Sequence, residues 1–448
     1  MESIWNSTVD IPSRNALEED ISAEAVVIGA GMAGILTAYL LKENGVGTVV
    51  LEADRIGSGQ TGNTTAKITS QHGLCYEKMI GQIGKKKASL YGRAHEEAIL
   101  EYERIISKEH IACHFQKLPA YLYSACQWHQ LEKEAQAAQA IGLPAKFLAK
   151  ADCPVPHIGA VRFENQAQFH PLEFIKAVSS DLEIYEKTKV ISVRGNRVHT
   201  DRGNVTAENI IFASHYPFVN VPGFFFVRQH QERSCVAAFE NAGTLNGMYY
   251  GIDEGSLSLR GFENMILAGG GSYRTGRNET GGKYDGIRQQ MKRYFPGAKE
   301  VAFWSAQDCM PHDHLPMIGN FSLFKPAWYV ETGFRKWGMT SSMLSAMIVR
   351  DEICGIDNPY EKLFSPQRIH PFVASGGFAG DLAVSVRELS KGIFPPKSKE
   401  GKVLRCPHMG CRLYWNEDEH SWDCPCHGSR FEEDGKLVDC PAQTGLQK

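Results

Sequence analysis

Ala25-Val-Val-Ile28 is a short β-branched run, and Gly29-Ala-Gly31-Met-Ala-Gly34 follows it at once. Ile35 to Asn44 then reads as a helix ending near Gly45, and Gly47-Thr-Val-Val-Leu51 as a second strand with Glu52 at its end. A lone G-x-G-x-x-G is a weak signal. Set between a strand and a helix, with an acid closing the next strand, it predicts a dinucleotide site. Gly29 permits the tight turn, Gly31 lets the backbone approach a pyrophosphate, and Gly34 lets the helix pack on the strands. The N–H groups at the helix start face the phosphates. Glu52, eighteen residues after Gly34, is placed for ribose hydroxyls. The competing readings are a ligand-free Gly-rich turn and, for the dinucleotide itself, NAD against FAD, which the fingerprint does not separate.

The residues that follow do separate them. Gly57-Ser-Gly59-Gln-Thr61-Gly62-Asn-Thr64-Thr65-Ala66-Lys67 is a small, polar, Gly-rich loop soon after the acid. It resembles the loop of the D-amino-acid oxidase/glycine oxidase superfamily, whose backbone and hydroxyls wrap FAD. Thr188-Lys-Val190-Ile-Ser-Val193 and Ile210-Ile-Phe-Ala213-Ser look like the superfamily's adenine-side and return strands. Trp328-Tyr-Val-Glu-Thr-Gly333-Phe-Arg-Lys336-Trp-Gly338-Met339-Thr340, before an apolar helix, resembles its last strand–loop–helix, where a helix start faces the flavin and stabilises negative charge on it. The resemblance spans roughly residues 22 to 355, in patches. It implies an α/β fold: a Rossmann-type FAD-binding domain interleaved with an antiparallel-sheet substrate domain over residues 1–369. It also implies FAD contacts at Gly29, Gly31, Gly34, Glu52, Thr61, Thr65, Val190, Gly338, Met339 and Thr340.

The same resemblance limits the chemistry. Amine oxidases of this superfamily grip the substrate carboxylate with an Arg. In glycine-oxidase-like members one such Arg lies five residues before the Asp of a turn matching Asp313-His314-Leu-Pro316-Met-Ile-Gly319, and here that position is Asp308. An acid does not bind a carboxylate as Arg does. It suits a cationic group or acts as a base. Amino-acid oxidation therefore does not carry over. Lys336, just before the flavin-facing helix, is the best catalytic candidate, since a positive charge there stabilises an anionic flavin or an oxyanion. The plain alternatives are a surface lysine and a solvated loop aspartate. His312, Asp313 and His314 adjoin, with a spacing that suits no standard metal site. Residues 226–275 read as strands around Gly-rich turns, with Gly269-Gly-Gly271 as a hairpin turn, and Tyr76 to His110 as one or two amphipathic helices.

Near the other end stand Cys406-Pro-His408-Met-Gly-Cys411 and Cys424-Pro-Cys426-His427-Gly428-Ser429. Each loop pairs a Cys with a His, in the pattern C-x-H-x15-C-x-x-H. Cys406, His408, Cys424 and His427 can hold a [2Fe-2S] cluster with two thiolates on one iron and two imidazoles on the other. A Cys2His2 zinc site uses the same ligands, but zinc fingers do not mix one Cys and one His in each loop. The segment closely resembles a Rieske domain, which assigns residues 400–448 to a small all-β cluster-binding domain, with 370–399 as linker. The resemblance implies a Cys411–Cys426 disulfide clamping the two loops. It also places Ser429 where a serine bonds a bridging sulfide and Phe431 where high-potential members carry Tyr. Only about twenty residues, roughly Glu388 to Arg405, stand ahead of the first loop as support, so the domain is expected to be shortened on its N-terminal side.

Across the 448 residues, 43 % apolar and 22 % charged side chains with a net charge of -3 give no electrostatic argument for nucleic acid or an anionic membrane. No run of eighteen apolar residues predicts a membrane span, and Met1 to Ala23 lacks signal-peptide character. Five of the twelve Cys fall in the tail and the rest form no disulfide framework. A cytoplasmic protein is expected. The combined reading is an FAD-dependent oxidoreductase that oxidises a small organic substrate, such as an amine, and exchanges single electrons with an unidentified donor or acceptor through the cluster. An O2-reducing oxidase with a structural cluster and a non-catalytic redox sensor or carrier are the alternatives.

Overall fold

The computed structural model describes residues 2–368, 384, 387–390 and 404–446. The elements that place the site are, in chain order, β1 (Ile21–Ile28), α1 (Met32–Glu43), β2 (Thr48–Leu51), β3 (Asn204–Phe212) and β4 (Gln229–Glu240). They continue with β5 (Met265–Arg274), β6 (Lys299–Pro311), β7 (Lys325–Thr332) and α2 (Gly338–Cys354).

β1, β2, β3 and β7 are parallel neighbours in an eight-stranded sheet. Val26, Val27 and Ile28 are buried, as are Val50, Leu51, Ile210 and Ile211 beside them. Helices cover a parallel sheet, so its strands read as continuous apolar runs. α1 is buried from Met32 to Leu41 because it lies between the sheet and α2, which is itself buried on nearly every side. Gly34 makes that packing feasible: a Cβ there would stand 2.0 Å from the Gly29 carbonyl oxygen.

The second sheet has nine strands, with β6, β4 and β5 as neighbours at one end, all antiparallel. Gly269-Gly-Gly271 is not a hairpin turn. It lies inside β5, where the missing side chains leave space for the cavity described below. Residues 76–110 form two helices, Tyr76–Ile83 and Lys85–Lys108. Among the described residues, no helix is long and apolar enough to cross a membrane.

Strands Tyr414–Asn416, Ser421–Asp423, Arg430–Glu432 and Leu437–Asp439 make a separate four-stranded antiparallel sheet. So short a module has little core of its own, and it leans on the larger body. Arg233 pairs with Glu419, Asn278 donates to Asn416 and Asp418 (both 2.9 Å), and Arg274 donates to the Pro425 carbonyl (2.9 Å). Most of the stretch read as linker lies outside the described residues. Within it, Arg387–Ser390 are helical and Glu388 is fully buried, held by Arg277 (2.9 Å) and the Tyr414 hydroxyl (2.6 Å). Those four residues belong to the packed body, because a carboxylate with two such partners is anchored.

Candidate functional site

A cavity of about 1420 Å³ runs from the β1–α1 turn, under the second sheet, to the start of α2. Pockets for drug-sized ligands reach about 1,000 Å³, so this one has room for a dinucleotide and a small substrate together. Gly29, Gly31, Glu52, Thr61, Thr65, Val190, Gly338 and Met339 all line it. Gly29 has φ +110°, and a Cβ there would meet the Ala213 carbonyl oxygen at 2.8 Å, so the turn requires glycine. Glu52 accepts from the backbone N–H groups of Ala30 and Asp54, both at 2.8 Å, which fixes its carboxylate at the end of β2. The Thr61 hydroxyl accepts from Met32 N–H (2.9 Å) and caps α1.

Two of the sequence candidates stand apart from the cavity wall. Gly34 serves helix–strand packing. Thr340 donates its hydroxyl to the Thr69 carbonyl (3.0 Å). The cradle of Gly29 and Gly31, the helix start and the acid after β2 fit an FAD, which supplies a two-electron acceptor when bound.

Lys336 lies where the loop before α2 meets β4 and β6. Its Nζ donates to Ser234 Oγ (2.8 Å) and is 3.3 Å from Glu232 and 3.5 Å from Asp308. Burial alone would lower the Lys336 pKa, but the Asp308 and Glu232 carboxylates outweigh it and hold the ammonium above its usual range. Burial pushes Asp308 up, against the pull of Lys336 and His215. A hydrogen bond from His230 and the nearby Lys336 bring Glu232 down to about 2. Two carboxylates thus face one ammonium. Lys67, from the Gly-rich loop, also lines the cavity. Its Nζ donates to Tyr249 O (2.9 Å) and Ser258 Oγ (2.6 Å), and burial with Arg260 nearby brings it down to about 7.

The adjoining triplet divides. Asp313 is held by Arg368 at 2.6 and 2.8 Å and anchors the loop. His312 lies beside His230, ring centroids 6.2 Å apart. His314 faces Lys78 at 3.2 Å, with burial lowering it to about 4.

The cluster loops converge. Cys406 and Cys424 are adjacent, with the Cys424 thiol hydrogen-bonded to Cys406. That bond, with others from Ser429 and the His408 and Met409 N–H groups, lowers the Cys406 thiol. The His408 and His427 rings stand 4.9 Å apart at 86°. His408 Nδ1 is buried and meets no partner, a costly state for a polar atom, and iron ligation would satisfy it. The Sγ atoms of Cys411, Cys424 and Cys426 also lie within 4.8 Å of one another, but Cys411 and Cys426 are joined as a disulfide, which removes them as ligands. Two thiols side by side and two imidazoles side by side fit a [2Fe-2S] cluster with one pair on each iron. Phe431 is buried in the same small core as Cys406 and Cys424.

Sequence reasoning missed Glu232, Ser234 and the polar residues around them. The signal was Gln229-His-Gln-Glu-Arg-Ser234: six polar residues in a strand, with no apolar face. Such a strand must meet polar partners on both sides.

Residues 24–352 match the family model "FAD dependent oxidoreductase", and residues 399–448 match "Rieske [2Fe-2S] domain". A Bacillus subtilis (strain 168) protein described by name as a Rieske 2Fe-2S iron-sulfur protein, YhfW, is 33 % identical, over 100 % of this chain and 97 % of its own length. The cytochrome b6-f complex iron-sulfur subunit of Synechococcus elongatus is 30 % identical over 22 % of this chain and 53 % of its own. Among solved structures, glycine oxidase from Geobacillus kaustophilus has a TM-score of 0.65 at 16 % identity, covering 78 % of this chain and 99 % of its own. L-proline dehydrogenase from P. horikoshii has a TM-score of 0.65 at 18 % identity, covering 79 % and 98 %. At such identities these two show the fold alone.

Proposed function

The chain belongs to the FAD-dependent oxidoreductase family and carries a Rieske [2Fe-2S] domain, and from that premise we propose that it oxidises a small amine and passes the electrons on, one at a time, through the cluster. The observation that carries the substrate class is the pair of carboxylates, Asp308 and Glu232, set around the single ammonium of Lys336. That excess of negative charge attracts an ammonium group and disfavours a carboxylate.

Bound FAD supplies the acceptor for the two electrons and one hydrogen leaving the carbon next to nitrogen. The chain's own residues do the rest. Asp308, which lines the cavity, draws in the substrate ammonium, with Glu232 paired to Lys336 behind it. Asp308, raised by its burial, is the better proton acceptor of the two and takes one proton from nitrogen as the C=N bond forms. Lys336 and Ser234 hold the carboxylates in position. Cys406, His408, Cys424 and His427 are the ligands in this reading, with residues 400–448 as the cluster domain and residues 1–369 as the flavoprotein. The partner is a one-electron donor or acceptor, and the protein works in the cytoplasm.

Anaerobic addition of primary and secondary amines, followed by visible absorbance, tests this reading. Bleaching of the flavin by amines but not by the matching amino acids is expected. Bleaching by amino acids alone would overturn the substrate class.

A further inference from the structure

β4 and β6 stand between Lys336 and the cluster module, whose Arg430 and Asp439 reach the same cavity. Along β4, Gln229, Gln231 and Arg233 are each no more than 2 % exposed, while His230, Glu232 and Ser234 alternate with them towards Lys336. Gln307 and Asp308 divide in the same way on β6. Side chains alternate across a strand, so one face of the two strands turns towards Lys336 and the other carries the cluster module, and Ser234 and Asp308 on the first face and Arg233 and Gln307 on the second all line the cavity.

The module is seated without slack. Gln231 Nε2 donates to the carbonyls of His427 (2.6 Å) and Cys440 (3.1 Å). Gln307 Nε2 donates to Gly428 O (2.9 Å) and to Gln231 Oε1 (2.7 Å). A Cβ on Gly428 would meet Gln231 at 2.6 Å, and one on Gly276 would meet Pro425 N at 2.7 Å. The imidazoles are covered as well: His408 Nε2 meets Asn220 Oδ1 at 3.1 Å, and the His427 ring bonds the Phe226 carbonyl. Both partners lie on the single loop after β3.

His215 is on that same loop. Thr332 Oγ1 donates to its carbonyl at 2.6 Å. Its imidazole bonds the Gln231 side chain and feels both Asp308 beside Lys336 and Asp439 on the module. Its Nε2 is buried without a partner, and the residue lines the cavity.

We infer that the cluster module is a fixed relay rather than a swinging domain, and that His215 and Gln231 form the connection between the flavin cavity and the cluster ligand His427. His215 and Gln231 act as positioning residues, holding the two sites in one rigid register. The inference rests on the reading of the chain as a flavin-to-cluster enzyme. Two electrons leave the reduced flavin in turn, with the hydrogen taken from substrate released as a proton. With the cluster bound, the first would reduce one of its irons from Fe(III) to Fe(II). A one-electron acceptor, ferricyanide in the laboratory, reoxidises that iron before the second electron follows.

The test reduces the flavin of the holoprotein with a light pulse and EDTA, with no amine present, and follows cluster reduction by absorbance and by EPR of frozen samples. A first-order rate, independent of protein concentration and of sucrose viscosity, is expected. His215→Leu should slow it by roughly ten-fold, as loss of a residue supporting a cluster ligand does, with iron content and the EPR line shape unchanged. Gln231→Met, of similar size, should slow it likewise and serves if His215→Leu fails to load its cluster. A rate that falls with viscosity would overturn the fixed docking, and unchanged rates in both variants would overturn the connection. Amines that leave the flavin oxidised while the light-driven transfer proceeds would refute the substrate reading and leave this inference standing.

Discussion

Gly34 has a hydrogen where any other residue would place a carbon 2.0 Å from the Gly29 carbonyl oxygen. Backbone is on both sides of that contact, so nothing flexible can yield. Gly34→Ala should cost about 1–3 kcal/mol from overpacking and should release FAD, measured as a lower Tm and a lower flavin-to-protein ratio. Undiminished flavin content would mean that the helix is not held by this approach. At the cluster, Ser429 and Phe431 make the complementary pair. Hydrogen bonds to cluster sulfur stabilise the reduced form. Ser429 lies in contact with Cys406, and Phe431 is fully buried in the same core. Ser429→Ala should therefore lower the reduction potential and Phe431→Tyr should raise it, both read by redox titration. A lower potential in the Tyr variant would show that its hydroxyl does not reach the cluster.

Strand β4 is the element on which the two sites meet, and it carries the clearest energetic stake. Glu419 of the module is buried against Arg233 of β4 and lies 2.6 Å from Arg430. Burial would raise its pKa, but the two guanidinium groups outweigh that and lower it to about 2. Its stabilisation is therefore complete above the ordinary value of 4.5 and is lost as the pH falls towards 2. Removing one partner of a buried pair costs about 3–5 kcal/mol, so Glu419→Ala should lower Tm sharply at pH 7 and speed cluster loss to a chelator. A Tm within a degree of wild type would deny the pair any part in docking.

β7 behaves in the opposite sense. Glu331 is fully buried beside Thr37 and is pushed up to about 8 by burial. Between pH 4.5 and 8 the unfolded chain has lost this proton and the folded one keeps it, so stability falls as pH rises. At pH 7 the cost is on the order of 3 kcal/mol. Glu331→Gln should be more stable than wild type at pH 7 and should lose the downward slope of Tm between pH 5 and 8; identical slopes would exclude Glu331 as its source. The strands that bind nucleotide were legible because β1, β2 and the turn between them are contiguous, so local pattern and function coincide. β4 was not, because its polar residues acquire meaning only from Lys336, more than a hundred positions away, and from His427, 196 positions from Gln231.

At the scale of the whole molecule, two domains recognisable from separate motifs are built into one body. The sequence shows each motif and the four candidate cluster ligands, but not that the module packs against β4 and β6 and lines the same cavity. That arrangement depends on Gln231, Gln307, Arg274 and Asn278, none of which belongs to a motif. The body supports the module directly, through Gln231, Gln307 and Arg274 and through Arg277 on Glu388. The most direct test of the central claim, that a single chain holds two linked redox centres, is an anaerobic reductive titration counting electrons. Wild-type holoprotein should take up about three electrons per chain, two at the flavin and one at the cluster. Cys424→Ser, with its flavin intact, should take up about two. An equal uptake of about two electrons by both proteins would contradict the account.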